Sequence, residues 1–225
     1  MFQIDWFPIR LSFEVSFLAT AVALVVGIAL AWSLARLSFP GRDWLDSIIT
    51  LPLILPPTVL GYYLLVVIGR QSRFGAIFES IFGFPLVFTK GAAVVAATIH
   101  ALPLMFKSIR AAFEEVDDRL ENAARTLGAS EFRVFWTITI PLTRRSIQAA
   151  AILAFSRALG DFGVTIMVAG NIPGKTQTAS VAIYDAVLAG NETYAAWLAA
   201  IISIVSIVVI YVTNRLNPSS KGKQS

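Results

Sequence analysis

Three stretches of this chain, residues 15–35, 47–69 and 193–214, run without a charged residue for long enough to cross a lipid bilayer. About 20 apolar residues in a helix span ~30 Å of hydrocarbon, and a helix satisfies its own backbone polar groups where no water can. A fourth run, 91–106, is shorter, but Lys90 and Lys107 can snorkel and extend it to 86–107. A fifth, 145–169, is interrupted by Arg157 and Asp161. Composition agrees: of 225 residues 56 % are hydrophobic and 14 % charged, and the mean hydropathy is +0.73. Soluble domains carry about 25 % charged residues. The expected fold is all-α and integral to the membrane, with about five transmembrane helices at 13–36, 47–69, 86–107, 145–169 and 193–215. The first is expected to be retained, because Asp5 and Arg10 make a poor signal-peptide charged region and the following apolar run is too long.

Composition also excludes several functions. With no cysteine and a single histidine, thiol catalysis, iron–sulfur clusters and multi-histidine metal sites are out of reach, and no catalytic or metal-ligating residue is expected. The net charge of +4 is scattered between apolar runs rather than gathered on one face, which argues against nucleic acid. No GxxxxGKS or GxxxxGKT loop is present, so the chain does not cradle ATP itself.

Orientation follows from the connections. Arg36, Arg42, the seven basic residues from Lys107 to Arg145, Arg215, Lys221 and Lys223 fall on one side, twelve in all. Arg10, Arg70, Arg73, Lys90 and Lys175, five residues, fall on the other. The positive-inside rule then puts connection 107–145 and the C-terminus in the cytoplasm and the N-terminus outside. The apolar stretch 74–84 is expected to lie in the membrane interface, and 217–225 to be a disordered tail.

Connection 107–145 carries the most information. Asp117 can cap a helix in which Leu120, Ala123, Ala124 and Leu127 share one face. Gly128 stops it as a residue free to turn left-handed, and Ser130 can cap a second helix over 131–139 that must end by Pro141. A helix, a glycine corner and a second helix would present a small apolar knob, ringed by Glu121, Arg125 and Arg133. Such a knob suits a partner's groove; a surface hairpin that merely joins two spans is the plain alternative.

The sequence Glu121-Asn122-Ala123-Ala124-Arg125-Thr126-Leu127-Gly128, with Ile138-Thr139-Ile140-Pro141-Leu142 beyond it, resembles the "EAA…G…I.LP" signature of ABC-importer permeases. Asn122 departs from it, replacing an alanine. The resemblance implies a MetI-like type I ABC importer permease fold over 11–215. It makes 116–141 the coupling loop that docks in a cytoplasmic ATPase, through Glu121, Ala123, Ala124, Arg125, Leu127, Gly128 and Pro141. Leu51-Pro52-Leu53-Ile54-Leu55-Pro56-Pro57-Thr58-Val59-Leu60-Gly61-Tyr62 is similar to the second-span segment of molybdate permeases. Phe155-Ser156-Arg157-Ala158-Leu159-Gly160-Asp161-Phe162-Gly163, with 170–178 after it, resembles molybdate and sulfate permeases together. The compact length and five spans favour molybdate; sulfate, thiosulfate or tungstate is the alternative.

Several residues remain open to two readings. Arg157 and Asp161, at i and i+4 inside a span, can neutralise each other and fix helix packing, or line the pathway for an oxyanion. The first reading is the expectation. Pro56 and Pro57 break the second span's hydrogen-bond ladder, giving either a packing kink or a bend that shapes a pore or gate lined by Thr58 and Gly61. His100 is expected to be packed and hydrogen-bonded rather than a proton carrier. In the outer loop, Asn171, Lys175, Thr176 and Gln177 can contact an external binding protein or simply cap a span.

The partners implied are a second copy of the chain, two cytoplasmic ABC ATPase subunits carrying ATP-Mg, a periplasmic or extracellular oxyanion-binding protein and the bilayer. No nucleic acid and no cofactor of its own is expected. The expected place is the bacterial inner membrane. An intramembrane enzyme would need a nucleophile or metal cluster at one depth, and a passive channel would have no use for the cytoplasmic knob.

Overall fold

The computed structural model describes residues 5–36 and 39–216, so the expected tail at 217–225 lies outside the described residues. Among the described residues eleven α-helices follow one another: α1 (Phe7–Arg36), α2 (Arg42–Thr50), α3 (Pro57–Ile68), α4 (Arg73–Phe82), α5 (Lys90–Glu114), α6 (Asp118–Thr126), α7 (Glu131–Val134), α8 (Ile140–Leu159), α9 (Gly163–Ala169), α10 (Ala179–Leu188) and α11 (Glu192–Leu216). Three of them, α1, α5 and α11, are individually long and apolar enough to cross a membrane, and two bent pairs bring the number of candidate spans to at most five.

The centre of the bundle is α1 against α5. Ala19, Ala23, Gly27 and Ala31 repeat every four residues on the buried face of α1, opposite Ala92, Ala93, Ala96, Ala97, Ala101 and Met105 of α5. Such a stripe lets two backbones approach closely, which is how helices associate where lipid is as apolar as leucine. A Cβ at Gly27 would lie 2.9 Å from Met105 Cγ. Polar contacts at the two ends show that α1 and α5 run parallel. Glu14 pairs with Arg10 at 2.8 Å and with Lys90 at one end. At the other, Arg36 reaches the carbonyl of Phe113 at 3.4 Å. Arg42 with Glu114, and Arg110 with both Asp46 and Glu114, gather at that same end, which also carries the hairpin of α6 and α7.

The two interrupted spans are bent more sharply than the sequence suggests. The run expected as one span at 47–69 consists of Arg42–Leu53 and Pro57–Ile68, set at 113°. Leu51 ends the first piece by accepting from the amides of Ile54 and Leu55, and the adjacent Pro56 and Pro57 have no N–H to carry the ladder across. The run expected at 145–169 turns by 61° between Leu159 and Gly163. The second hairpin helix does not end at Pro141. It is α-helical only over Glu131–Val134, widens into a π turn over Phe135–Thr139 and continues directly into α8. Pro141 sits in the first turn of α8, where a missing N–H is tolerated.

Stretch 74–84 forms most of α4, capped by Ser72, which accepts from Gly75 N at 2.8 Å. The outer connection after α9 holds a helix that the sequence did not reveal, α10, whose Ala179 and Ala182 pack with Ile9 and Leu198.

Candidate functional site

Three local signals in the hairpin are realised. Asp117 caps α6, accepting from Arg119 N at 2.9 Å, and Ser130 caps α7, accepting from Arg133 N at 3.4 Å. Gly128 adopts φ +85°. Its N–H donates to Arg125 O, and the next N–H, of Ala129, to Ala124 O, the paired bonds of a Schellman stop. Leu127 at the corner is 89 % exposed, and Leu120, Phe132 and Trp136 are exposed beside it. Ala123 and Gly128 share that open surface, Ala124 and Arg125 are half-buried, and Pro141 is exposed at the base of α8.

Glu121 is placed differently from the sequence reading. It does not ring the knob but points inward, 1 % exposed, accepting from Arg36 at 2.5 Å, Thr139 Oγ1 at 2.8 Å and Arg125 at 3.2 Å. It therefore ties α6 to the end of α1 and to the π turn beneath α8. On the outer side of the hairpin, Arg125 grips Glu131 through two nitrogens, at 2.6 and 3.0 Å. That contact holds the Glu131 carboxyl below its ordinary 4.5 and pushes the guanidinium above its own usual value.

The two half-helices α3 and α9 meet at their breaks. A Cβ at Gly61 would lie 2.6 Å from Met167 Cβ, and one at Gly163 would lie 2.6 Å from Pro57 Cβ. Gly61 is thus buried in a close contact with Met167, whereas Pro56, Pro57 and Thr58 are exposed on the single chain. Beyond α3, Phe88 holds φ +59°, its N–H bonded to Val168 O at 2.9 Å. Gly170 leaves room for the Phe88 ring, which would be 3.0 Å from a Cβ there. Tyr62, Leu65, Val66, Arg70 and Phe88 line a cavity of about 570 Å³ at this end.

Arg157 and Asp161 do not pair as expected. Helix α8 stops at Leu159, so Asp161 leaves the i+4 row. Its Oδ1 meets His100 Nδ1 at 2.6 Å, while Oδ2 accepts from Thr165 N at 3.0 Å and Thr165 Oγ1 at 2.6 Å. Arg157 lies against the His100 ring instead, its Nη2 in contact with both ring nitrogens. An imidazole protonated on Nδ1 donates to Asp161, and the Arg157 guanidinium rests against the ring rather than on one ring nitrogen. His100 is packed and hydrogen-bonded, as expected, but as the link between the two charges. Thr165, which closes the break over Asp161, was missed, although its position four residues on was readable. No cluster of three or more His, Cys, Asp or Glu that could hold a metal occurs among the described residues.

The outer loop exposes only part of its candidate surface. Asn171 and Lys175 are open, but Thr176 is fully buried and Gln177 nearly so. The amides of Lys175, Thr176 and Gln177 all converge on Ile172 O. Thr176 Oγ1 accepts from Ile172 N at 3.2 Å, and Gln177 Nε2 donates to Asn171 Oδ1 at 2.8 Å and Asp185 Oδ2 at 3.2 Å. These two side chains hold the loop together from within.

Long apolar helices, paired breaks and an end-mounted hairpin fit a multi-pass membrane protein, and comparison with known proteins gives its family. The chain belongs to the binding-protein-dependent transport system inner membrane component family, which matches residues 23–220, and is a multi-pass inner membrane protein. It is 45 % identical over 220 residues to the molybdenum transport system permease protein ModB of Escherichia coli K12, covering 97 % of this chain and 96 % of that one. It is 35 % identical over 217 residues to a probable sulfate transport system permease protein cysT of Chlorokybus atmophyticus, covering 94 % of this chain and 76 % of the other. Among solved structures, a bacterial ABC transporter involved in the import of the acidic polysaccharide alginate superposes with a TM-score of 0.74 at 16 % identity, over 96 % of this chain and 79 % of that one. The expected MetI-like permease fold is the one found.

Proposed function

We propose that this chain is the membrane-spanning permease subunit of an ATP-driven importer and that two copies form a translocation pathway for molybdate. The observation that carries the substrate is the 45 % identity to a molybdenum permease over nearly the full length of both chains. The sulfate permease relative is less similar and longer, so the chain spans only 76 % of it; sulfate, thiosulfate and tungstate remain the competing substrates of the test. The subunit is not itself an enzyme and binds no cofactor. ATP is hydrolysed by two cytoplasmic ABC ATPases, and an external oxyanion-binding protein delivers the anion. The charge asymmetry supports a cytoplasmic hairpin and C-terminus with an external N-terminus.

The hairpin geometry supplies a route for coupling. An ATPase gripping the exposed Leu127 corner moves α6 as a rigid unit. Glu121, bonded to Arg36 and Thr139, passes that displacement to the end of α1 and to the π turn below α8. A buried charge-assisted contact transmits motion because letting it slip would strand its partners. The far end of α8 is the break that holds Asp161, so the knob and the break share one lever. Among the exposed loop residues, Asn171 and Lys175 are the ones that remain for the external binding protein. Co-expression with the ATPase and binding protein, followed by uptake into proteoliposomes, tests this reading. ATP-dependent accumulation of molybdate in preference to sulfate is expected; accumulation of sulfate alone would transfer the assignment to the alternative.

A further inference from the structure

Arg157 is the one cation between Arg145 and the end of the second bent pair at Ala169, and it forms no ion pair among the described residues. Among the described residues its only polar contact is the His100 ring. The carboxylate that could have quenched it, Asp161, has committed one oxygen to His100 and the other to Thr165. Arginine carries five N–H donors in a flat fork that suits an oxyanion, and His100 engages one nitrogen of it. The side chain is half-buried rather than enclosed. A cation that faced lipid here would be strongly disfavoured, so it has to face water or an anion.

We infer that Arg157 is an oxyanion contact within the pathway, aimed by the Asp161–His100 relay rather than neutralised by it. This rests on the transport function proposed above. The ligand class is a doubly charged tetrahedral oxyanion, met by the free N–H groups of a guanidinium. Holding Asp161 one imidazole away weakens the carboxylate's claim on the guanidinium while still compensating its charge within the protein. The anion therefore meets an attractive site that does not trap it. Two copies of the chain would bring two such forks to the pathway.

The test uses the whole complex, this chain with its ATPases and binding protein, in proteoliposomes. The chain has no cysteine, so Arg157→Cys introduces its sole thiol. A sulfonate-bearing methanethiosulfonate reagent in water is expected to modify it, more slowly when molybdate is present, while Ala158→Cys, at a position 5 % exposed, stays unmodified. Arg157→Gln is expected to retain binding-protein-stimulated ATP hydrolysis but to lower molybdate moved per ATP about tenfold, the scale of one hydrogen bond to a charged group. Arg157→Lys is expected to restore much of that loss, which a purely packing role for the planar fork would not predict. A thiol at 157 that stays unmodified in every nucleotide state overturns the proposal, and it does so without requiring a transport-competent variant. Full molybdate uptake by Arg157→Gln also overturns it. Failure of the unsubstituted complex to move any oxyanion is seen before any variant is made, and refutes the functional reading itself together with the proposal.

Discussion

Thr139 donates a hydrogen bond to Glu121 at 2.8 Å, joining the π turn at the foot of α8 to the first helix of the hairpin. Both residues are 1 % exposed. The glutamate that the sequence pattern places on a docking surface is an internal brace, and the exposed surface beside it is made of Leu127 and its neighbours.

Replacing Glu121 should therefore loosen the hairpin from the bundle rather than trim a contact with the ATPase. Glu121→Ala leaves Thr139 Oγ1 and one arm of Arg36 unsatisfied, a cost of about 1–3 kcal/mol. A lowered melting temperature of the detergent-purified chain, measured without the ATPase, checks this. An unchanged melting temperature with lost ATPase binding would mean that Glu121 acts at the interface after all.

Gly128 is constrained by its backbone and not by its neighbours. No atom lies within 4 Å of a Cβ built there, yet φ is +85°. Gly128→Val should strain the corner by about 1–2 kcal/mol and uncouple ATP hydrolysis from the binding protein. Gly128→Asn, which tolerates the left-handed region, should retain most coupling. Stimulated ATPase rates of the two variants, compared side by side, decide whether conformation or bulk matters.

Sidedness can be read with single cysteines in this cysteine-free chain. Ser130→Cys, exposed at the hairpin, is expected to react only with reagent admitted to the cytoplasmic face. Lys175→Cys should react only from outside. Lys175 is exposed and suits the probe, whereas Thr176 beside it is buried by its own loop. Labelling on the reverse faces would turn the protein over and remove the hairpin from the ATPase.

Asp161 supports the break through His100 and Thr165. Asp161→Ala should lower stability by about 1–3 kcal/mol by stranding the buried Thr165 N–H, and adding Arg157→Ala should not restore it. A double-variant cycle on thermal melting gives the answer; recovery in the double variant would revive a direct Arg157–Asp161 pair.

How much of this was readable in advance depended on distance along the chain. Asp117, Gly128 and Ser130 act within four residues of themselves, so spacing alone placed them. Pro56 and Pro57 announced a break because two missing N–H groups are visible in any sequence, but not the 113° that the break produces. Arg157 and Asp161 were misread as a pair because the rule applied, i to i+4, assumes that the helix continues, and Gly160 ends it. The partner that intervenes, His100, comes from 57 residues away. Glu121 owes its inward position to Arg36, 85 residues distant. Pro141 looked like a stop because the sequence does not advertise a π turn that lets the helix run on.

The near-contact of Gly61 with Met167 and of Gly163 with Pro57 also bears on how such chains can diverge. Each glycine borrows its space from a residue about a hundred positions away, so bulk gained at 61 has to be surrendered at 167, and likewise between 163 and 57. Drift at these four positions is therefore pairwise. A graft that transplants the proline segment from one relative into another without its glycine counterpart brings two backbones together that no longer fit.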